Sequence, residues 1–340
     1  MNKEQMAKYI SNEISHNRGV ETTTQIGGIP YRIKFLPPNK EKSCNIPSIL
    51  AIPQVKNMNN QLVLESNNLE SNKMTEILEN GSQTGIKLAQ ITKDKPTPIV
   101  IPLIPSEKNA PYFQQLSKEC FELPENNKNY RMDNQVVGVI EQAREIIKNE
   151  CKIDLKDKIF LNGYSSSGVF AQRFALLHPE LIEKACIGGA SGSIPIPVKD
   201  LEYPLGIKNY KELFGKEFDY KDYAKIDFKY FVGELELQDK TKSRVDEFGN
   251  PAPVHDMSYF DRSVPKEEGK KQRDILGKDM FLRANNTVKV LNKLGYHIEH
   301  TVIPGRTHSN KNGKGVAEEG DKFVQNEYMK KEKQKEDFER

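Results

Sequence analysis

Residues 158–179, KIFLNGYSSSGVFAQRFALLHP, decide the fold. The first half is a short apolar run, Ile159-Phe160-Leu161, that stops at Asn162-Gly163. The second half spaces Val169, Phe170, Phe174 and Leu177 along one helix face, which predicts a strand turning sharply into a buried helix. Between them stands Gly163-Tyr164-Ser165-Ser166-Ser167-Gly168. A serine at the tip of such a turn, with glycine two residues before it and small residues after it, is the pattern in which a strained backbone lifts the hydroxyl above a sheet. The small neighbours are a steric need, because bulky flanks would collide with the adjoining strand and helix. Ser167 stands where the second glycine of G-x-S-x-G belongs, and Gly168 follows it. The same hexad fits the spacing of a phosphate loop, but Val169-Phe170 occupy the places of Lys-Ser/Thr, so that reading fails. A serine-rich turn that merely caps the helix fits equally well, and the stretch alone does not separate it from a nucleophile elbow.

The 340 residues suffice for one large α/β domain or two small ones with a substantial core. Lys+Arg number 51 against 48 Asp+Glu, a net charge of +3 that argues neither for nor against a polyanionic partner. The lysines are dispersed, so no nucleic-acid partner is expected. Cys44, Cys120, Cys151 and Cys186 form no C-x-x-C pair, and Cys186 reads as a small buried hydrophobe. No HExxH or paired-cysteine pattern appears, and His297 and His300 would face opposite sides of a strand, so neither metal nor cofactor is expected. The first residues carry no apolar signal core and no stretch has the length of a membrane span. The expected location is the cytoplasm, or a secreted or periplasmic one if a signal was removed. The oligomeric state is not readable.

In order, residues 1–19 read as a polar helical leader with Met6, Ile10 and Ile14 on one face. Residues 31–36, 48–52 and 61–65 read as leading antiparallel strands, 73–81 as helical, and 85–91 as a short helix or strand. The proline-bounded run 98–105 suits a buried strand, 133–149 an amphipathic helix, and 185–189 the next strand after the elbow helix. Residues 193–226 read as a lid-like excursion, 227–232 as a strand, 239–271 as loop, 275–294 as helix and 297–303 as the last strand. The charged segment from 317 reads as a solvated helix or tail. The expected fold class is α/β, with a mostly parallel sheet, helices on both faces and antiparallel leading strands. Its expected units are 1–95, a leader with the leading strands; 96–312, the catalytic core with its insertion; and 313–340, a charged helix or tail.

An elbow serine needs a base within hydrogen-bond reach and a carboxylate to orient it, in the chain order Ser, Asp/Glu, His. Of the six histidines, only His308 falls in the loop just past the final strand. The penultimate strand ends at Gly233, and Glu234, Glu236 and Asp239 follow; Glu236 is the first candidate for the acid and Asp239 the second. The oxyanion hole needs two backbone N–H groups. Ser166, just after the nucleophile, is expected to supply one; the loop at the end of the earlier strand, Pro102-Leu103-Ile104-Pro105-Ser106, is expected to supply the other from Ile104 or Ser106, since its prolines cannot donate.

These matches resemble a bacterial α/β-hydrolase-like family, distantly similar to polyhydroxybutyrate depolymerases and feruloyl esterases. The resemblance rests on Gly163 to Glu180, Gly188-Gly189, Tyr203-Pro204-Leu205-Gly206, the turn from Gly233 to Asp239, and Gly305 to His308, in order across residues 98–310. The family typically has Asp where Glu236 stands, and its loop after the earlier strand carries an Arg where Ser106-Glu107 stand here. The resemblance implies a serine esterase acting on a small-molecule or polymer-derived ester, with Ser165 as nucleophile. Two other readings stay open: a non-catalytic binding protein on the same fold, and an acyltransferase or peptidase with the same triad. The aromatic residues Tyr203, Tyr210, Phe214, Phe218, Tyr220 and Tyr223 of the excursion are either its own core or the wall of an acyl site.

Overall fold

The structure, a computed structural model, describes residues 3–16, 21–106, 111–236, 264–277, 280–308 and 316–330. Nine strands form one sheet in the order β1-β2-β3-β5-β4-β6-β7-β8-β9. The leading strands β1 (Glu21–Ile26), β2 (Ile29–Leu36) and β3 (Ser48–Pro53) run antiparallel, and β3 joins β5 (Ile99–Pro102) antiparallel as well. From β5 onward every pairing is parallel: β4 (Val63–Leu64), β6 (Ile159–Tyr164), β7 (Ile182–Gly188), β8 (Asp227–Gly233) and β9 (Ile298–Ile303). The central strands are covered on both faces, as their near-continuous apolar runs require.

Alternate side chains enter opposite layers. On β6, Ile159 and Leu161 join the layer packed by α3 (Met132–Cys151) and α4 (Ser166–Leu177), while Phe160 joins the layer packed by α1 (Lys3–His16) and α2 (Met74–Ile91). Helix α4 is buried along its whole length; truncating its fully buried Phe170 or Phe174 to Ala would cost about 3–5 kcal/mol.

Several sequence expectations change. Residues 61–65 hold only the two-residue β4, which is no leading antiparallel strand but lies parallel between β5 and β6. Residues 74–91 make one 18-residue helix rather than two elements. The long helix expected over 275–294 is two, ending and restarting around Gly277: Lys266–Leu276 and Met280–Lys293. The last helix, Ala317–Met329, is not simply solvated. Its Val324 and Tyr328 are buried, the Tyr328 ring meets Phe160 edge-on at 5.3 Å, and Lys184 Nζ donates to the Glu327 carbonyl at 2.9 Å. Within 193–226, Tyr203, Tyr210, Phe214, Phe218 and Tyr223 are buried among themselves and against Phe121, 4.8 Å from the Phe214 ring, as part of the same core layer as α3 and α4; Tyr220 is exposed.

The chain leaves β4 through α2 towards β5 and leaves β6 through α4 towards β7, on opposite sides of the sheet. The carboxyl ends of β4 and β6 therefore open a crevice at a reversal of strand order, where α/β sheets place their ligands.

Candidate active site

Ser165 sits between β6 and α4 at φ 57° and ψ −119°, a left-handed setting that costs a non-glycine residue on the order of 1–3 kcal/mol. The surroundings hold it there. Its N–H donates to the Gly188 carbonyl at 2.9 Å, and its own carbonyl accepts the Val169 N–H at 2.9 Å. A Cβ at position 163 would lie 2.4 Å from the Ser167 carbonyl oxygen, so only glycine fits. Ser167, the departure from G-x-S-x-G, has its own reason. Its buried Oγ accepts the Tyr164 N–H at 2.9 Å and lies 3.2 Å from Glu65 Oε1, tying the turn to the end of β4.

His308 Nε2 lies 2.9 Å from Ser165 Oγ, and His308 Nδ1 bonds to Glu236 Oε1. Glu236 is fully buried, and its second oxygen accepts the Gly233 N–H at 2.9 Å. An ionised carboxylate only accepts, so the proton belongs on Nδ1 and leaves Nε2 free to accept from the serine. The loops carrying the two residues are fastened together: Glu234 N–H donates to Ile303 O, Leu235 N–H to Arg306 O, and Gly305 N–H to Glu234 Oε2, all at 2.8–2.9 Å. The imidazole also stacks on Tyr164 at 5.1 Å, and the Tyr164 hydroxyl donates to the His308 carbonyl at 2.6 Å. Burial, reinforced by the negative charges of Glu236 and Asp321, holds the Tyr164 phenol well above its ordinary range, so it remains a donor.

Of the residues expected from sequence, Ser165, His308 and Glu236 come together, and Asp239 lies outside the described residues. Ser166 opens α4, where a helix N–H has no intrahelical acceptor; its Oγ meets Gln115 Nε2 at 3.2 Å. The backbone N–H groups of Ile104 and Ser106 already have acceptors. The Ile104 N–H donates to Asn67 Oδ1 at 2.7 Å and the Ser106 N–H to the Ser71 carbonyl at 2.8 Å. Both follow β5, which is one strand removed from β6; the neighbour is β4. The loop after β4 also touches the elbow, and does so at its backbone. Asn68 Nδ2 donates to the Tyr164 carbonyl at 2.9 Å, and Asn68 Oδ1 accepts the Ser167 N–H at 3.3 Å. The Asn68 N–H is taken by Asn80 Oδ1 at 2.6 Å, so the next N–H along the loop is that of Leu69. Asn68 and Glu65 were missed in the sequence; the signal was a block of polar residues, Glu65-Ser66-Asn67-Asn68, directly after an apolar pair. Among the described residues no group of three or more His, Cys, Asp or Glu is placed to hold a metal ion, and no helix is long and apolar enough to cross a membrane.

The sheet order and the strained serine between a central parallel strand and a buried helix define the α/β-hydrolase fold. The chain is similar over nearly its whole length to LpqC, a poly(3-hydroxybutyrate) depolymerase from Bordetella parapertussis, at 12% identity and a TM-score of 0.51, covering 96% of this chain and 92% of that one. It is also similar to an S-formylglutathione hydrolase from Agrobacterium tumefaciens (11% identity, TM-score 0.45, 90% and 96% covered). A third likeness is to carboxyl esterase 2 from Tuber melanosporum (9% identity, TM-score 0.46, 94% and 97% covered). No family model and no curated protein matches the sequence. At 12% identity the likeness to LpqC bears on the fold alone, and activity has to be argued from the site.

Proposed function

We propose that this protein is a serine hydrolase that cleaves carboxylic esters through an acyl-enzyme intermediate. The observation that carries the reading is Ser165 Oγ, lifted at the elbow, 2.9 Å from an imidazole whose other nitrogen bonds to the buried Glu236. In this reading His308 Nε2 takes the hydroxyl proton as Ser165 Oγ attacks the ester carbonyl carbon. Glu236 holds the imidazole in the tautomer that can accept and stabilises the imidazolium. Negative charge collects on the carbonyl oxygen, and the Ser166 N–H, together with the Leu69 N–H in place of Ile104 or Ser106, receives it. Collapse breaks the C–O bond, His308 returns its proton to the departing alkoxide, and the acyl group stays on Ser165. Water then attacks the acyl carbon with His308 again as base, releasing the acid and restoring the serine. The substrate class is a small-molecule or polymer-derived ester.

The test is labelling with a fluorophosphonate probe and turnover of p-nitrophenyl acetate by the intact chain and by Ser165→Ala. The intact chain is expected to label stoichiometrically and to turn over, and the variant to lose the label and roughly 10⁶-fold in kcat. Undiminished labelling of the folded variant, or none of the intact chain, overturns the reading.

A further inference from the structure

The Ser166 N–H opens α4, the Leu69 N–H lies in the loop after β4, and neither has an acceptor among the described residues. The two residues adjoin a direct contact, since Asn68 Oδ1 accepts the Ser167 N–H at 3.3 Å. One side chain reaches both of them. Gln114 is fully buried in a helical turn, Phe113–Gln115, on the way from β5 to α3. Its Nε2 donates to the carbonyls of Asn67 and Leu69 at 2.9 and 3.0 Å, and its Oε1 accepts from the Ser166 hydroxyl at 3.4 Å. Carbonyl oxygens only accept, so the nitrogen must face them and the amide has one orientation. The turn itself is braced. The Gln115 carbonyl accepts from Arg173 Nη1 of α4 at 2.7 Å, the Leu116 carbonyl from the Tyr203 hydroxyl at 2.5 Å, and Gln115 Nε2 donates to Ser166 Oγ at 3.2 Å. Leu116 is held at φ 49°, a left-handed setting that a leucine keeps only where its surroundings enforce it.

We propose that Gln114 is a positioning residue that sets the spacing of the Leu69 and Ser166 N–H groups, and with it the width of the oxyanion pocket. The inference rests on the hydrolase reading above. The loop leaves a strand of only two residues, so the sheet anchors it briefly and side chains must hold the rest. Asn67 is tied to Ile104, whose N–H and carbonyl it meets at 2.7 and 3.0 Å, and Asn68 is tied to the elbow. Those bonds use the loop's own side chains. Gln114 instead holds its backbone: the peptide between Asn68 and Leu69, which carries the Leu69 N–H, lies between the two peptides whose carbonyls Gln114 grips. An oxyanion donor works at about 2.7–3.1 Å from the developing charge, and a displacement of about 1 Å can cost on the order of 10²-fold in rate. Gln114 touches no reacting atom in this account and acts through the backbone it holds.

Gln114→Met keeps the length of the side chain and removes all three bonds; Gln114→Asn keeps the amide but withdraws it by one carbon. Circular dichroism checks that each is folded. On p-nitrophenyl acetate, kcat of either is expected to fall about 30–100-fold with KM within about threefold. The control is Gln172→Met. Gln172 is equally buried and also spends its Nε2 on two acceptors, the Ser193 carbonyl and hydroxyl, neither in the loop after β4. That variant should lose stability and keep kcat within about threefold. A double-variant cycle completes the test. In the chain carrying the α-hydroxy analogue of Leu69, which lacks the N–H but retains both carbonyls that Gln114 grips, Gln114→Met should lower kcat by less than about threefold more. Unchanged kcat in the folded Gln114 variants, losses that multiply in the doubly altered chain, or an equal loss in Gln172→Met overturns the proposal. With an active intact chain those results leave the hydrolase reading standing, whereas an intact chain that neither labels nor turns over removes both.

Discussion

Helix α4 carries a histidine–carboxylate pair at each end, and the two are built for opposite purposes. At its amino end His308 gives one nitrogen to Glu236 and the other to a hydroxyl, Ser165 Oγ. At its carboxyl end His178 gives both nitrogens to carboxylates: Nε2 lies 3.0 Å from Asp133 Oδ2 and Nδ1 3.4 Å from Glu180 Oε1. Asp133 is gripped in turn by Arg131 through two bonds of 2.9 and 2.7 Å. An imidazole between two carboxylates is held as a cation and has no lone pair to offer. One between a carboxylate and a hydroxyl has, in the proposed reading, a nitrogen left to act as a base. What separates chemistry from architecture is the partner of the second nitrogen.

Between the two pairs, the largest expected effect is at Glu236. Glu236→Gln retains the shape but presents an amide donor or a weaker acceptor to Nδ1, which favours the wrong tautomer; kcat on p-nitrophenyl acetate should fall roughly 10⁴-fold with little change in Tm. Asp133→Asn should do the reverse, leaving kcat of the folded protein within a few-fold. Equal losses of activity in the two variants would erase the distinction drawn between the pairs.

Next in size is Asp133→Ala. It strands Arg131 and His178 in a buried site, which costs about 3–5 kcal/mol of stability by analogy with other broken buried pairs. Denaturant unfolding followed by circular dichroism measures it. A loss below about 1 kcal/mol would mean that the cluster does not brace the start of α3 against the end of α4.

How far the sequence carried depends on element length. The elbow was legible because a strand run and a full helix period flank it, and His308 and Glu236 because each follows a strand long enough to recognise. The loop after β4, which contacts the elbow backbone, was not, because β4 is two residues long, too short for any periodicity, yet it is β4 that abuts β6. With β4 read as a leading antiparallel strand, the oxyanion role was expected in the loop at the end of β5, at Ile104 or Ser106, whose N–H groups have other acceptors in the structure. The last helix was misread for a different reason. Its buried Val324 and Tyr328 are few among Lys, Glu and Asp, so charge density concealed a stripe that covers Phe160. Asn68 and Ser167 escaped because a polar side chain that braces backbone has the same composition as a loop.

The proposed oxyanion donor, the Leu69 N–H, ranks third. Replacing Leu69 by its α-hydroxy analogue exchanges the N–H for an ester oxygen without altering the side chain, and kcat should fall about 10²–10³-fold at nearly constant KM. The same exchange at Ile104 should lower stability, through loss of the bond to Asn67, and spare kcat. An activity loss at Ile104 rather than Leu69 would return the role to the strand first expected.

The smallest effect is the pH dependence of the structural pair. Burial alone would push the His178 pKa down, but the hydrogen bonds to Asp133 and Glu180 outweigh it and hold it above the ordinary 6.5. Burial would likewise push Asp133 up, and the bonds from Arg131 and His178 instead hold it well below the usual 3.8. A raised histidine binds its proton more tightly folded than unfolded, so its contribution is complete below about pH 6.5 and is lost as pH rises through the higher folded value. A depressed carboxyl contributes above about pH 3.8 and loses that contribution as pH falls towards its lower folded value. Both therefore act together between about pH 4 and 6.5, and Tm should decline as pH is raised from 6.5 to 8.5. In His178→Asn that decline should flatten, because the titrating group is gone, whereas Ser165→Ala should retain the slope of the intact chain. A slope unchanged by His178→Asn would assign the pH dependence to another group and leave the two pairs distinguished by activity alone.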